Sequence, residues 1–420
     1  MFKPKWKKQA QLLQKGAVKF LNYKRDLLED DRITEIQSRI TDLKDTVKAG
    51  DEEGAKEASK LLEKTCEQSL PKYRRPNAFQ ENIEVFFVAI VVALGIRAYF
   101  LQPFRIPTNS MYPTLNGITG GALEKEKWPS LPLRGVQQLT HGKNFFSLKA
   151  DQESSIVSIQ DYQFLRFFSR VKVTFSSGQV ETFSGSATSL WQAGLTEFYD
   201  ELIKKQNPGL WAQLKHQSID YRTGQYSAGG GKFISPYTIP ADTTILEGFT
   251  QSGDLIIVDK VSYHFKSPKQ DDVLVFDTRG IKHIEAENKK NGTPPSHYIK
   301  RLIGTPGQHI TIQPIKHDDP NYPNGGIITR DGQNATDPGI LRVQTRENKY
   351  HGYHRSLGSI TDIKLDDKPS TGLSEYWAMG DNSYKSSDSR VWGSVKEYNV
   401  VGPAFLSLWP FGSGHWGVIE

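Results

Sequence analysis

Ile83 to Leu101 reads IEVFFVAIVVALGIRAYFL, and Gln102 to Leu115 follows as QPFRIPTNSMYPTL. The junction between these two stretches governs the reading of the whole chain. The first has 19 residues, of which only Glu84 and Arg97 are charged. As a helix it would reach about 28 Å, close to a hydrocarbon core of roughly 30 Å. Glu84 sits at one end, and Arg97 is near enough to the other to snorkel. A buried helix of a soluble protein is the competing reading. A cleavable signal peptide is not expected, because 82 residues precede the stretch. In the second stretch Pro103, Pro107 and Pro113 forbid a continuing helix and favour extended backbone.

The flanks orient the span. Residues 1–82 carry a net +4, residues 1–25 hold eight basic residues and no acidic one, and Lys72, Arg74 and Arg75 lie just before the span. The positive-inside rule then places residues 1–82 in the cytoplasm and the C-terminal part outside. The remaining composition agrees with one span rather than many. The 420 residues suggest two or three domains, 37% are hydrophobic, and mean hydropathy is −0.53. An aromatic content of 11% argues against a mostly disordered chain. The single cysteine, Cys66, excludes a disulfide scaffold or a thiolate metal cage. Of the net charge of +6, only +2 falls on residues 83–420, so no nucleic-acid footprint is expected there.

Before the span the spacing is helical. Ile33, Ile36, Ile40, Leu43 and Val47 form a coiled-coil seam. Ala49 to Gly54 interrupts it, and Ala55, Ala58, Leu62 and Cys66 resume it, which predicts a helical hairpin. An earlier basic stretch with Trp6, Ala10, Leu13, Ala17 and Phe20 fits either a helix on anionic lipid or a core-facing stripe. Beyond the span the chain reads mainly as strands. Residues 171–175 and 179–183 flank Ser-Ser-Gly as a hairpin. Leu255 to Val258, Val273 to Phe276 and Tyr298 to Ile303 are further strands. One helix is expected along Leu190, Trp191, Leu195, Phe198, Leu202 and Ile203, and Gly229 to Gly231 reads as a hinge or loop.

Three segments hold candidate chemistry. Ser110 lies in the proline-stiffened stretch, but a serine hydroxyl is a weak nucleophile unless a base takes its proton. No Gly-x-Ser-x-Gly context surrounds it, and no His-Glu-x-x-His suggests zinc. Lys300 is a candidate base: alternation places it between Tyr298 and Leu302, where desolvation would lower its pKa from about 10.4. A Lys-Arg pair protecting a sheet edge is the alternative. The third segment, Gly380 to Arg390, reads GDNSYKSSDSR, dense in turn formers. A calcium loop is disfavoured, because the twelfth position counted from Asp381 is Trp392. Asp388 and Arg390 can pair there, and Ser386 or Ser389 can hold an amine.

Together, IPTNSMYPTL behind one span, YIKRLIGTPG and GDNSYKSSDSR resemble the type I signal peptidases, membrane-anchored Ser-Lys proteases. The resemblance covers about a third of the chain: 85–115, 253–312 and 375–410. It implies a mainly β catalytic domain, signal-peptidase-like, behind one transmembrane helix. Residues 1–82 form the cytoplasmic helical region and 83–101 the span. The peptidase domain takes 102–115 and 253–420, and 116–252 is a large α+β insertion, far longer than the family has there. It implies Ser110 as nucleophile, Lys300 as general base, and Thr108 with the Ser110 N–H as oxyanion donors. Ser386 would bond and orient the Lys300 amine, Asp388 and Arg390 would pair beneath the site, and Gly380, Asp381 and Asn382 would support it. Phe104, Ile106, Val275 and Ile299 match residues lining small apolar pockets for an Ala-x-Ala substrate, with Met111 and Leu115 beside them. The expected partners are exported preproteins with signal peptides and membrane lipid, with no nucleic acid, no cofactor and no metal. The cytoplasmic coiled-coil segment also offers a surface to a protein partner.

The implied location is the bacterial inner (cytoplasmic) membrane, single-pass, with the catalytic domain on the periplasmic side. Asp271-Asp272 stands where the family has Gly-Asp, and Gln308 where Asp commonly follows Pro-Gly. The short stretch between the lysine box and the last box suggests a reduced second β domain. Trp409, Phe411 and Trp416 fit either a lipid-resting surface or ordinary β core. A self-cleaving Ser-Lys peptidase and a non-enzymatic membrane-tethered binding module are the other functional readings.

Overall fold

The computed structural model describes residues 4–69, 78–164, 168–209, 212, 237–291, 293–316, 324–354, 359–367 and 372–419. Lys72, Arg74, Arg75 and the Gly229–Gly231 loop fall outside these residues. The chain divides into two compact units, Met1–Val92 and Ala93–Glu420.

The first unit holds α1 (Lys5–Lys24), α2 (Asp30–Ala49) and α3 (Glu52–Gln68). Gly50 ends α2 at φ 78°, a left-handed conformation that glycine adopts without a Cβ penalty. The Asp51 carboxylate then accepts from Gly54 N at 3.0 Å and caps α3. The helices expected over α2 and α3 are present, preceded by α1. Ala10 and Ala17 of α1 are buried in one core with Ile36, Leu43 and Leu62. The apolar stripe of α1 is therefore core-facing. Its small residues let a third helix approach, which two seams read separately do not announce.

The apolar helix α4 spans Ala78–Tyr99, starting earlier and ending earlier than the 83–101 expectation. It stops because Leu101 is already paired with Asp259 in a strand. Its stretch Asn82–Tyr99 is long and apolar enough to cross a membrane, and none of it is buried in the protein.

The second unit is built on an eight-stranded sheet. It runs β1 (Leu101–Arg105), β8 (Leu255–Asp259), β18 (Val400–Trp409), β9 (Val273–Asp277), β10 (His297–Gly304), β16 (Glu375–Met379) and β17 (Val395–Lys396), with β19 (Gly417–Val418) paired to β18. All its pairings are antiparallel. Strand β10 is interior, pairing Lys300 with Leu274 of β9 and Arg301 with Met379 of β16. Edge protection by the Lys-Arg pair is thus overturned. Both faces carry apolar layers: Ile106, Met111, Leu115, Val275 and Ile299 form one. Leu274, Phe276, Leu302, Ala378 and Trp392 form the other.

Between the lysine strand and β16 lies a five-stranded sheet. It comprises β11 (His309–Lys316), β12 (Asn324–Arg330), β13 (Gln333–Asn334), β14 (Tyr353–His354) and β15 (Asp362–Lys364). It has its own core around Ile310, Ile312, Ile328, Ile340 and Trp377. Short as it is, the segment is long enough to build that sheet and its core. The Gln308 substitution is accommodated locally: its side-chain oxygen accepts from Thr305 N at 2.9 Å and closes the turn.

The described residues of 116–252 hold two three-stranded sheets. One is β2 (Thr119–Ala122), β7 (Thr243–Gln251) and β3 (Lys143–Ala150), in that order. The other is β4 (Ile156–Phe164), β5 (Phe168–Phe175) and β6 (Val180–Ser184). The predicted hairpin is β5–β6, paired through Thr174 and Val180. Helix α5 (Leu131–His141) lies between β2 and β3 in the chain. The single helix expected over 190–203 is broken into α6 (Ala187–Leu190), a wide turn Trp191–Leu195, and α7 (Thr196–Gln206). Gly194 at φ 113° makes the break, a conformation no helix tolerates. The segment starts and ends at one point. Asp254 N donates to Asn116 O at 2.9 Å, and the Asp254 carboxylate accepts from Asn116 N at 2.7 Å.

Candidate active site

Ser110 sits in a single turn, Asn109–Met111, between β1 and β2. Prolines on either side keep the backbone extended, so the turn depends on tertiary bonds. Asn382 N donates to Ser110 O at 3.0 Å, and Asn382 Nδ2 donates to Asn109 O at 2.9 Å. Gly117 N donates to Asn109 Oδ1 at 2.8 Å. Gly380 must be glycine: a Cβ there would lie 2.5 Å from Ser110 O and 2.2 Å from Ser386 Oγ. The polar loop Gly380 to Arg390 is thus the cradle of the serine turn.

Lys300 reaches that turn from the middle of the sheet. Its Nζ donates to Ser110 Oγ at 2.8 Å and to Ile299 O at 3.0 Å. The ammonium also lies 5.5 Å from the centre of the Tyr298 ring. Lys300 is 4% exposed. Burial pushes its pKa down to about 8. Asp388 and Asp381 oppose that fall, and Arg390 assists it. An amine with this pKa is neutral in a sizeable fraction of molecules near neutral pH and can accept a proton from the hydroxyl it touches. The Thr108 hydroxyl is 3.5 Å from Ser110 Oγ, and Thr108 itself is exposed.

Ser386 departs from expectation. Its hydroxyl is buried beside Gly380 but makes no hydrogen bond to Lys300 or to any other described group. The backbone carbonyl of Ile299 takes that place on the amine. The Asp388–Arg390 pair forms as expected, with two contacts of 2.7 Å. Asp388 also accepts from Gly380 N at 3.0 Å, and Arg390 donates to His354 O and Ser383 O at 2.6 and 2.8 Å. Both charges are out of water, so removing one strands the other. Asp388→Asn is expected to destabilise the domain by about 3–5 kcal/mol, measured by urea unfolding of the detergent-solubilised chain.

A second buried pair was not read from the sequence. Arg301 is 0% exposed and donates to both Asp381 oxygens, at 2.9 Å from Nε and 2.8 Å from Nη2. Thr114 of the serine segment also donates to Asp381, and Asp381 holds the Arg301 charge well above its ordinary range. The Arg301 Nη1 donates to Asp271 at 3.0 and 3.1 Å. Asp271 stands at φ 75°, a glycine-favouring conformation, and its carboxylate also accepts from Gly339 N and Ile340 N at 2.7 and 3.0 Å. Those bonds hold Asp271 in a backbone conformation that glycine otherwise favours. The available signal was Arg301 itself: an arginine in a strand buried on both faces must find a carboxylate.

The apolar candidates come together. Ile106, Val275 and Ile299 share one cluster, with Phe104 packed against it. Met111 and Leu115 belong to the same cluster and are fully buried within it. Among the described residues no cluster of His, Cys, Asp and Glu has metal-binding geometry.

Sequence comparison now bears on this geometry. The family model for signal peptidase, peptidase S26, matches residues 232–409. A signal peptidase I of Bacillus caldolyticus is 30% identical over 161 residues, 38% of this chain and 72% of its own length. The chain belongs to the signal peptidase I family. Membership makes it a serine endopeptidase and sets aside the binding-module reading. A probable signal peptidase I-1 of Synechocystis is 28% identical over 182 residues, 43% of this chain and 74% of that protein. A signal peptidase I of Leptolyngbya laminosa and a probable signal peptidase I-2 of Synechocystis are matched over 61% and 59% of their own lengths. A crystal structure of a signal peptidase I from Enterococcus faecalis V583 is similar over 33% of this chain and 97% of that one. Its identity is 20% and its TM-score 0.22, too slight to add to the fold described above.

Proposed function

We propose that this chain removes signal peptides from exported preproteins with a Ser110–Lys300 dyad. The observation that carries the reading is the buried contact of 2.8 Å between Lys300 Nζ and Ser110 Oγ. Neutral Lys300 takes the Ser110 proton as Ser110 Oγ attacks the scissile carbonyl. Thr108 Oγ1 and the Ser110 N–H donate to the developing oxyanion. Lys300, now protonated, gives its proton to the leaving amine. The mature protein departs and an ester remains on Ser110. Lys300 then takes a proton from water, whose oxygen attacks the ester; as the ester bond breaks, Lys300 returns that proton to Ser110 Oγ and the signal peptide leaves as its C-terminal acid. The Asp388–Arg390 and Arg301–Asp381 pairs hold the serine turn and the lysine strand at one spacing.

The substrate segment adds as an extended strand over the apolar layer of Phe104, Ile106, Val275 and Ile299. With Met111 and Leu115 filling the space behind, that layer accepts small side chains and rejects large ones by overpacking. Helix α4 anchors the chain in the bacterial cytoplasmic membrane, with residues 1–82 inside and the catalytic domain outside. Residues 116–252 are an insertion on that domain, and the three N-terminal helices offer a cytoplasmic surface for a partner. Trp409, Phe411 and Trp416 face the lipid surface.

The test is a preprotein with Ala at the first and third positions before the cut, incubated with membranes carrying this chain. Mass spectrometry of the product should place the new N-terminus after the first Ala. Leu at either position should abolish cleavage, and Val275→Ala should restore part of it. Equal cleavage of Ala and Leu substrates by the wild type would overturn the reading of the pockets.

A further inference from the structure

Helix α5 is inside out. Its apolar residues Leu131, Leu133, Val136 and Leu139 are exposed, Leu131 at 76% and Leu139 at 72%. At 100° per residue these four fall within one arc of about 200°. The inward side is polar: Arg134, Gln137, Thr140 and His141 are the half-buried positions, and no residue of the helix is fully buried. Arg134 Nε donates to Pro129 O at 2.7 Å and its guanidinium lies 5.0 Å from the Trp128 ring centre. His141 lies so close to Gly412 that a Cβ there would be 2.3 Å from the His141 ring. A helix in water normally turns the other way. Exposing four large apolar side chains on one arc costs free energy unless something apolar covers them.

The neighbours say what covers it. Trp409 Nε1 donates to Leu139 O at 2.6 Å, and the Arg105 guanidinium lies 4.9 Å from the Trp409 ring centre. Arg105 closes strand β1, which begins at Leu101, two residues after the apolar helix α4 ends at Tyr99. Phe100, Leu101, Phe411, Trp416 and Val418 are also exposed apolar residues of this unit. The exit of the apolar span therefore leads in two side-chain steps to helix α5. Near the helix, Lys125 and Lys127 are balanced by Glu124 and Glu126, so the attraction is apolar rather than ionic.

We infer that α5 is an interfacial helix: its Leu131–Leu133–Val136–Leu139 face inserts into the outer boundary of the lipid bilayer. This rests on the reading of α4 as a membrane anchor. The insertion thereby gives the catalytic domain a second, in-plane attachment, with the half-buried side of α5 against the domain and the apolar side in lipid. A domain held at two points cannot swing about the anchor. Its serine then stays at one height above the bilayer, where only cleavage segments close to the membrane reach it.

The experiment uses the full chain with Cys66→Ser, reconstituted in phosphatidylethanolamine–phosphatidylglycerol vesicles. A single environment-sensitive fluorophore is placed on Val136→Cys, Leu139→Cys, Phe86→Cys in α4, or Ser177→Cys in the exposed β5–β6 turn. Lipids carrying a nitroxide near the top of the acyl chain act as quencher. The expected result is strong quenching at 136 and 139 and none at 177. Quenching at 86, with a deeper nitroxide, reports the anchor separately. Quenching at 86 but not at 136 or 139 overturns the inference and leaves the anchor standing. No quenching at 86 overturns the anchor itself. Unlabelled Val136→Cys that forms disulfide-linked dimers in the vesicles, with no quenching at 136, would assign the face to a second copy and also overturn the inference. As a functional readout, changing all four residues to Gln should slow cleavage of membrane-inserted preprotein several-fold. It should leave hydrolysis of a short soluble peptide unchanged.

Discussion

Ser110→Ala is expected to lower preprotein cleavage roughly 10⁴-fold or more, with the chain still folded and still in the membrane. Among the described residues the hydroxyl is the only nucleophile hydrogen-bonded to the buried amine, and alanine leaves the turn and its Asn382 bonds intact. Lys300→Ala is expected to cost about as much, because an unassisted hydroxyl at neutral pH is almost entirely protonated. The two losses should not add: the double variant should be no slower than either single one by more than about tenfold. The measurement is single-turnover cleavage of an Ala-x-Ala preprotein in reconstituted vesicles. Either single variant keeping activity within tenfold of the wild type would sink the dyad.

Cleavage by the wild type is expected to rise roughly tenfold between pH 7 and pH 9. With Lys300 titrating at about 8, only about a tenth of the amine is neutral at pH 7 and about nine-tenths at pH 9. The same shift has a consequence for stability, with a definite sign. The pKa of Lys300 is lower in the fold than in the unfolded chain, so the unfolded chain binds more protons between about pH 8 and pH 10.4. Stability contributed at this position therefore rises with pH through that window and is at its lowest below it. Lys300→Met removes the penalty and is expected to stabilise the domain by about 3 kcal/mol at pH 7 while abolishing cleavage. Urea unfolding of wild type and variant in detergent at pH 7 measures it. A flat pH–rate profile together with an unstabilised Met variant would mean that Lys300 is not held in the low-dielectric site described.

The serine, the lysine and the last polar box could be found in the chain because each carries a local oddity. Ser110 is hemmed in by prolines, Lys300 interrupts an apolar strand, and Gly380 to Arg390 packs turn formers against opposite charges. Local pattern also announced strands β5, β8, β9 and β10, the helical seams of α2 and α3, and the apolar helix, because burial on a face imposes a period. Pairing between distant segments leaves no such trace. Arg301 looked like edge protection, since nothing near it in sequence shows that β9 and β16 flank its strand. Ser386 lies at the spacing of a lysine partner, yet its hydroxyl is turned to Gly380 and the Ile299 carbonyl takes the amine.

Local order along the chain thus settled which residues have the chemistry and which elements they sit on, since side-chain type and period are properties of neighbours in sequence. Their meeting was decided by long-range antiparallel pairing. That pairing carries Lys300 across 190 positions to Ser110. It buries Arg301 against Asp381 and brings the two ends of residues 116–252 together at Asn116 and Asp254. It also left α5 with its apolar side outward, held by the Trp409 bond to Leu139 O and the close approach of Gly412 to His141, which no helical period reveals. The physical reason is the same throughout: a pKa, a buried ion pair or an exposed apolar face is set by what lies within a few ångströms, and only folding brings those groups there.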